Sequence, residues 1–335
     1  MLNSSFMIKR TVIITSLLWL ILSPLIWISL HFNTYSGDLT RIGQWRETDF
    51  GGRISQETIP PANLISSPLN QADILVIGDS FSDPLIWQSV LVEQGWKVST
   101  LSWSDVGDLC ENFSSTLKSS GFKGRHIIFE SVERVTSRQL NRSLNCRAKV
   151  NQLKNIPIKL ARQPAAQTEL GDTLNIQGQF WAGFKTLYHS VALRTSDQYY
   201  LFHNWKSKST QLHPISNGCE YFSHRLCKFG LFFFEDYHQP ELNNDDLTII
   251  HELNKRVDVY KVMWLIIPNK SSIYQREINE DFWMRLDQEQ LGPNLLGFFK
   301  KQKEMTKDLY APNDSHLSIN GYRKLGHLIS HRLNK

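Results

Sequence analysis

Residues 11–30, TVIITSLLWLILSPLIWISL, form a run without a charged side chain. At about 1.5 Å of rise per helical residue, such a run reaches about 30 Å, the thickness of a bilayer's hydrocarbon core. Lys9 and Arg10 stand just before it, and the first Lys or Arg after it is Arg41. The positive-inside rule then places residues 1–10 in the cytoplasm and everything beyond residue 31 outside it. Trp27 and His31 suit the outer interface. A cleaved signal peptide would have a shorter apolar region ending in a small-x-small site. HFNTYSGD, residues 31–38, offers no such site, so a retained anchor is expected. The expected location is a single pass through the inner membrane, with the bulk of the chain in the periplasm or outside the cell.

Export changes how the cysteines read. The chain has four, Cys110, Cys146, Cys219 and Cys227, and an even count in an oxidising compartment points to disulfides. Three connectivities are open. The short separation favours Cys219–Cys227, which leaves Cys110 for Cys146. No CxxC pair or Cys/His cluster has zinc-ligand spacing, so no metal is expected. The net charge of +5 is spread among acids along the chain, unlike the massed basic face of a nucleic-acid binder, and no nucleic-acid partner is expected.

Residues 31–70 are polar, carry Gly51-Gly52 and Pro60-Pro61, and read as a connector from membrane to domain. The pattern then changes. Residues 72–80, ADILVIGDS, are a short apolar run ending in Gly-Asp-Ser, as a buried parallel strand feeding a functional loop would read. Residues 84–95 predict a helix, with Pro84 in its first turn and Gly95 at its C-terminal cap. Residues 97–103 and 124–131 predict the next two strands, which makes a βαβ rhythm. From 132 to about 245 the rhythm breaks. Residues 132–155 read as helical and basic. Residues 160–240 alternate aromatic and β-branched runs with polar turns, as in TLYHSVALR and KFGLFFFEDYH, and read as an insertion with β-structure. The rhythm returns with a helix at 246–257, a buried strand at 259–268, helix and loop at 276–309, and a last helix at 319–333. The fold class is therefore α/β: a doubly wound parallel sheet over 71–335 with an inserted subdomain at about 132–245, preceded by one transmembrane helix.

Two short segments carry chemistry. In Gly78-Asp79-Ser80, a serine leaves the carboxyl end of the first strand, where open α/β sheets bind ligands. A serine hydroxyl is a useful nucleophile only when exposed and served by a base. Glycine there permits close approach, and the following helix offers N–H groups and a positive dipole end to an oxyanion. Asp and Ser are also good helix caps, which is the plainer reading. In Asn313-Asp314-Ser315-His316, just before the last helix, a histidine has the residue type of a general base and an aspartate that can fix its tautomer. This pair too has a capping alternative. Together the segments strengthen each other, because both ends of a doubly wound fold can meet at one sheet edge.

VIGDSFSD resembles the first block, and DSHLSINGYRKLG the last block, of the SGNH (GDSL-type) hydrolases, in the order Ser first and Asp-His last. The D-x-H spacing, the strand end Pro268-Asn269-Lys270-Ser271-Ser272-Ile273-Tyr274 and the Glu133-Arg134 pair are similar to the alginate O-acetyltransferase-like members around bacterial polysaccharide O-acetylation. The alginate proteins have D-x-H before the serine; here it follows. The resemblance implies Ser80 as nucleophile, His316 as base and Asp314 as its orienter. The N–H groups of Ser80 and Gly107 would be oxyanion donors. The third-block asparagine is not evident after the third strand. Glu130, Ser131 and Arg134 stand in that neighbourhood, with Arg134 as candidate donor or, more plainly, as an ion-pair residue.

The activity so implied is serine-dependent acyl transfer without a cofactor, with a cell-surface polysaccharide as acceptor and a multipass membrane acyltransferase as acetyl donor. A surface esterase with the same triad, or a catalytically silent scaffold subunit of a polysaccharide modification or export complex, are the alternatives. Lys270 and Tyr274 read as substrate contacts or strand-end surface residues. Trp103 and Trp181 could stack on sugars, or be core. His327 and His331 read as helix surface.

Overall fold

In the computed structural model, residues 4–31, 35–147, 176–195 and 204–334 are described. Four strands form a parallel sheet: β1 (Ile74–Gly78), β2 (Val98–Ser102), β3 (His126–Val132) and, late in the chain, a strand at Lys261–Ile267. Between them in sequence lie three shorter strands, β4 (Trp205–Ser207), β5 (Thr210–Pro214) and β6 (Phe229–Phe233), so the late strand is β7. The parallel sheet runs in the order β2-β1-β3-β7. All five residues of β1 are buried, which is why its sequence is an unbroken apolar run rather than an alternating one. Ile77 lies opposite Leu101 on one side and Phe129 on the other, fixing the register at the strand's carboxyl end. The chain leaves β1 for β2 on one side and returns to β3 on the other. The reversal of strand order falls at the end of β1, where such sheets open a crevice.

The expected strands and helices of this half lie where the apolar pattern put them. The helix at 84–95 is shorter, Ile86–Glu93, because a turn intervenes and Leu85 adopts a left-handed φ of 56° before it. The last helix, Ile319–Leu333, packs against it. Glu133–Leu144 packs against Asn244–Lys255. The rest of the stretch expected as helical, beyond residue 147, lies outside the described residues.

The second sheet is antiparallel, in the order β4-β5-β6. Its apolar side joins Leu212, Phe229 and Leu231 to Leu193 and to Leu39, Trp45 and Phe50 in a separate small core. Three of these come from the segment expected as a connector, which is thus built into the body. Trp45 is fully buried, donates from Nε1 to Thr210 Oγ1 (2.9 Å) and stacks on His189 with ring centroids 4.4 Å apart.

TLYHSVALR belongs to a helix, Ile176–Thr195, and not to the β-structure expected there. Its buried positions include Ala182, Thr186, His189, Ser190 and Leu193, which is helical spacing. Three of them are polar, so the period did not register as hydrophobic. KFGLFFFEDYH does contain a strand, β6. Both expected cysteine pairs are joined, with Cα atoms 4.5 Å apart for Cys110–Cys146 and 4.6 Å for Cys219–Cys227. The apolar helix at the amino terminus spans Ser4–His31, and none of its Met7–Trp27 window is buried.

Candidate active site

Ser80 follows the last residue of β1 by two positions and is exposed. The turn that presents it is tied down by its neighbours. Asp79 accepts from the N–H of Phe81 (2.9 Å) and of Val132 (2.8 Å), and its own N–H donates to Glu130 (2.9 Å). Glu130, fully buried on β3, also accepts from the Ser82 hydroxyl (2.7 Å). Burial first, and then the charge of Asp79, push its carboxyl well above the usual range. A Cβ on Gly78 would lie 2.4 Å from Ser82 Oγ and 2.5 Å from Glu130 Oε2, so only glycine admits this packing.

His316 arrives on the loop before the last helix. Its Nδ1 is 2.6 Å from Asp314 Oδ1 and its Nε2 is 2.8 Å from Ser80 Oγ. Burial favours the neutral form of Asp314. The hydrogen bond and charge of His316, with backbone N–H groups of Asp38 and His316, outweigh that and hold the carboxyl well below its ordinary value. An ionised carboxylate can only accept, so Nδ1 carries the proton and Nε2 accepts from the Ser80 hydroxyl. Burial opposes the charged imidazole as well. The hydrogen bond and charge of Asp314, then the charge of Asp38, overcome it and raise the His316 pKa, while Arg134 pulls the other way.

Asp38 was not among the residues singled out in the sequence. Its Oδ1 accepts from Ser315 N (2.8 Å), its Oδ2 from Ser315 Oγ (2.6 Å), and Oδ2 lies 3.7 Å from His316 Nδ1. Its N–H donates to Asp314 Oδ2 (2.9 Å), and the N–H groups of Leu39 and Thr40 donate to Asn313 O (3.1 and 3.2 Å). Gly37 allows this approach, because a Cβ there would meet Asn313 O at 2.1 Å. The only sequence signal is the Gly37-Asp38 step itself. Asp38, Asp314 and His316 bring ligand-type atoms within 4.8 Å of one another, as a metal centre would. Their atoms are already engaged with protons of Ser315, of each other and of the backbone, which is the arrangement of a hydrogen-bonded relay.

Lys270 is 1% exposed, neither substrate contact nor surface residue. Its Nζ donates to the carbonyls of Ala311 (2.8 Å), Pro312 (2.9 Å) and Asp314 (3.0 Å), pinning the loop that carries Asp314 and His316. Burial lowers its pKa to about 7 against the opposing charges of Asp314, Asp38, Asp308 and Asp236. Tyr274 is likewise buried.

The candidate oxyanion donors fare differently. Among the described residues Ser80 N–H has no acceptor. Gly107 has the positive φ of 78° that suits glycine, but its N–H donates to Trp103 O (2.8 Å) and is committed there. Arg134 donates to Asn269 Oδ1 (3.3 Å), lies 3.6 Å from Asp236 and covers the Phe233 ring at 5.1 Å. Glu133 accepts from Asn269 N (2.8 Å) and Ser272 Oγ (2.7 Å), so the Glu133-Arg134 pair ties the end of β3 to the end of β7. Trp103 donates from Nε1 to Glu130 O (2.6 Å), whereas Trp181 is 72% exposed. His327 and His331 are exposed on the last helix.

Comparisons with protein-family models, with curated proteins and with solved structures return no match to this chain.

Proposed function

We propose that this protein is a membrane-anchored SGNH-type O-acyltransferase that works outside the cytoplasm, with a cell-surface polysaccharide as acceptor. The observation that carries the reading is the continuous line of hydrogen-bonding distances from Asp314 through His316 to Ser80. In this reading Ser80 Oγ attacks the carbonyl carbon of an acetyl donor while His316 Nε2 takes the hydroxyl proton. The tetrahedral oxyanion faces Ser80 N–H. Collapse expels the donor's oxygen or sulfur, which leaves with the proton from His316, and an acetyl-serine remains. A sugar hydroxyl then gives its proton to His316 and attacks the ester, and Ser80 regains its hydrogen. Outside the cytoplasm there is no acetyl-CoA, so the donor side requires a multipass membrane acyltransferase as partner. The amino-terminal helix keeps the site beside such a partner.

A second reading is favoured by the exposure of Ser80. Water can reach an acyl group there, and hydrolysis would make the same triad an esterase. Intact mass spectrometry of the detergent-solubilised full chain, after brief exposure to an activated acetyl ester, tests the chemistry. One acetyl group on the wild type and none on Ser80→Ala is the expected result. No adduct and no turnover in either protein would sink the acyl-enzyme and leave a scaffold role. Added acceptor sugar that collects the acetyl group in place of water separates transferase from esterase.

A further inference from the structure

The helix Ile176–Thr195 buries polar side chains and exposes large apolar ones. Its inward face carries Thr186, His189 and Ser190, each buried and hydrogen-bonded. Thr186 Oγ1 is 2.7 Å from Tyr35 Oη, His189 Nδ1 is 2.8 Å from Gln44 O, and Ser190 Oγ donates to Asp49 Oδ2 at 2.8 Å. Its outward face carries Trp181, Lys185, Tyr188 and Val191, with Trp181 72%, Tyr188 64% and Val191 50% exposed. A helix on a water-washed surface turns its polar stripe outward. This one buries three hydrogen-bonded polar groups beside Ala182 and Leu193, and exposes Trp181, Tyr188 and Val191 beside Lys185 and Arg194.

Position supplies the second observation. The helix packs against the apolar amino-terminal helix, in whose Met7–Trp27 window no residue is buried. Tyr35, which bonds Thr186, stands four residues beyond the end of that helix at His31 (35 − 31 = 4). Four residues extend at most about 14 Å. The Tyr35 backbone is therefore held within that reach of the helix end, and Thr186 lies one tyrosine side chain farther. Trp, Tyr and a lysine at the level of the lipid headgroups are what an interfacial helix presents.

We propose that Ile176–Thr195 is a second membrane contact, an interfacial helix lying on the outer leaflet with Trp181, Tyr188 and Val191 in the boundary between headgroups and acyl chains. The occupant of this face is lipid, because the face adjoins the bare apolar helix and carries side chains matched to a bilayer surface. The inference rests on the anchor in the reading above and is independent of the acyl chemistry. Two contacts, one spanning and one lying flat, would hold the body in a single orientation on the membrane.

All four cysteines are in disulfides, so an introduced cysteine is the only thiol to label. The full chain is reconstituted in vesicles of phosphatidylcholine and phosphatidylglycerol with a nitroxide at Tyr188→Cys, Val191→Cys, Ile14→Cys or Met305→Cys, one at a time. All four positions are exposed, so the fold tolerates the label. Electron paramagnetic resonance then compares relaxation by oxygen, which concentrates in lipid, with relaxation by a nickel chelate, which stays in water. The expected result is an oxygen-to-nickel ratio several-fold higher at 188, 191 and 14 than at 305. Nickel access at 188 and 191 equal to that at 305, with 14 still in lipid, would overturn the interfacial helix and leave the anchor standing. Nickel access at all four would overturn the anchor as well.

Discussion

The two sheets reach the same site by different physics. The parallel sheet presents Ser80 through backbone geometry: a fully buried strand, a glycine that admits Glu130 and Ser82, and a turn closed on Asp79. The antiparallel sheet, with the segment at 36–50 packed on it, contributes no group to the nucleophile. It supports Asp38, Leu39 and Thr40, whose hydrogen bonds fix the loop that carries Asp314 and His316. One region places Ser80 and the other places His316. A triad made this way is only as rigid as the join between the regions.

The largest effect expected bears on that division least: His316→Ala and Ser80→Ala should each lower acylation by on the order of 10⁴-fold or more, read by the rate of acetyl incorporation. Next comes Lys270→Met, which leaves three buried carbonyls without a donor beneath the catalytic loop. It should cost about 3–5 kcal/mol in urea unfolding, and a cost near zero would mean the loop holds its shape unaided. Trp45→Ala empties the centre of the second core, at a similar cost of about 3–5 kcal/mol. If the regions are joined as described, acylation falls with it; an unchanged rate in the folded fraction would show that the sheet beneath residues 36–50 is dispensable to His316.

The smallest effect is the sharpest. His316 must be neutral to accept a proton, and its pKa is raised, so acylation should climb with pH along a limb lying above the ordinary imidazole value of about 6.5. Asp38 is one of the charges that raise it. Asp38→Asn keeps an acceptor for Ser315 but removes that charge, and should move the limb to lower pH. A loss of amplitude with no displacement would reduce Asp38 to a structural clip.

The parallel sheet was legible because burial on both faces writes apolar runs, and because β1 and the last helix end on residues with recognisable chemistry. Ser80, Asp314 and His316 were found from those ends and are brought within hydrogen-bonding distance of one another. Asp38 was not legible, since its partners lie 276 and 277 residues away and no local pattern marks it. Ile176–Thr195 was misread as β-structure because its inward positions are polar; the period existed in burial but not in hydrophobicity. Lys270 escaped for a related reason. A lysine at a strand end reads as surface until three backbone carbonyls turn out to need it. Gly107 shows the opposite failure: its conformation fits the resemblance, yet its N–H is spent on Trp103.

The apolar helix ends at His31, and the loop that carries Asp314 and His316 is latched at Asp38, seven residues on (38 − 31 = 7). Seven residues extend at most about 25 Å. In the proposed reading, a chain anchored at His31 would hold the loop that carries Asp314 and His316 in a thin layer above the bilayer, and its encounters would become two-dimensional. Effective concentration is then set by how many donors and acceptors share the same membrane area, and no longer by their bulk abundance. An acceptor polymer held farther from the surface would be out of range however plentiful it is, whereas one threaded past that layer would meet the serine again and again.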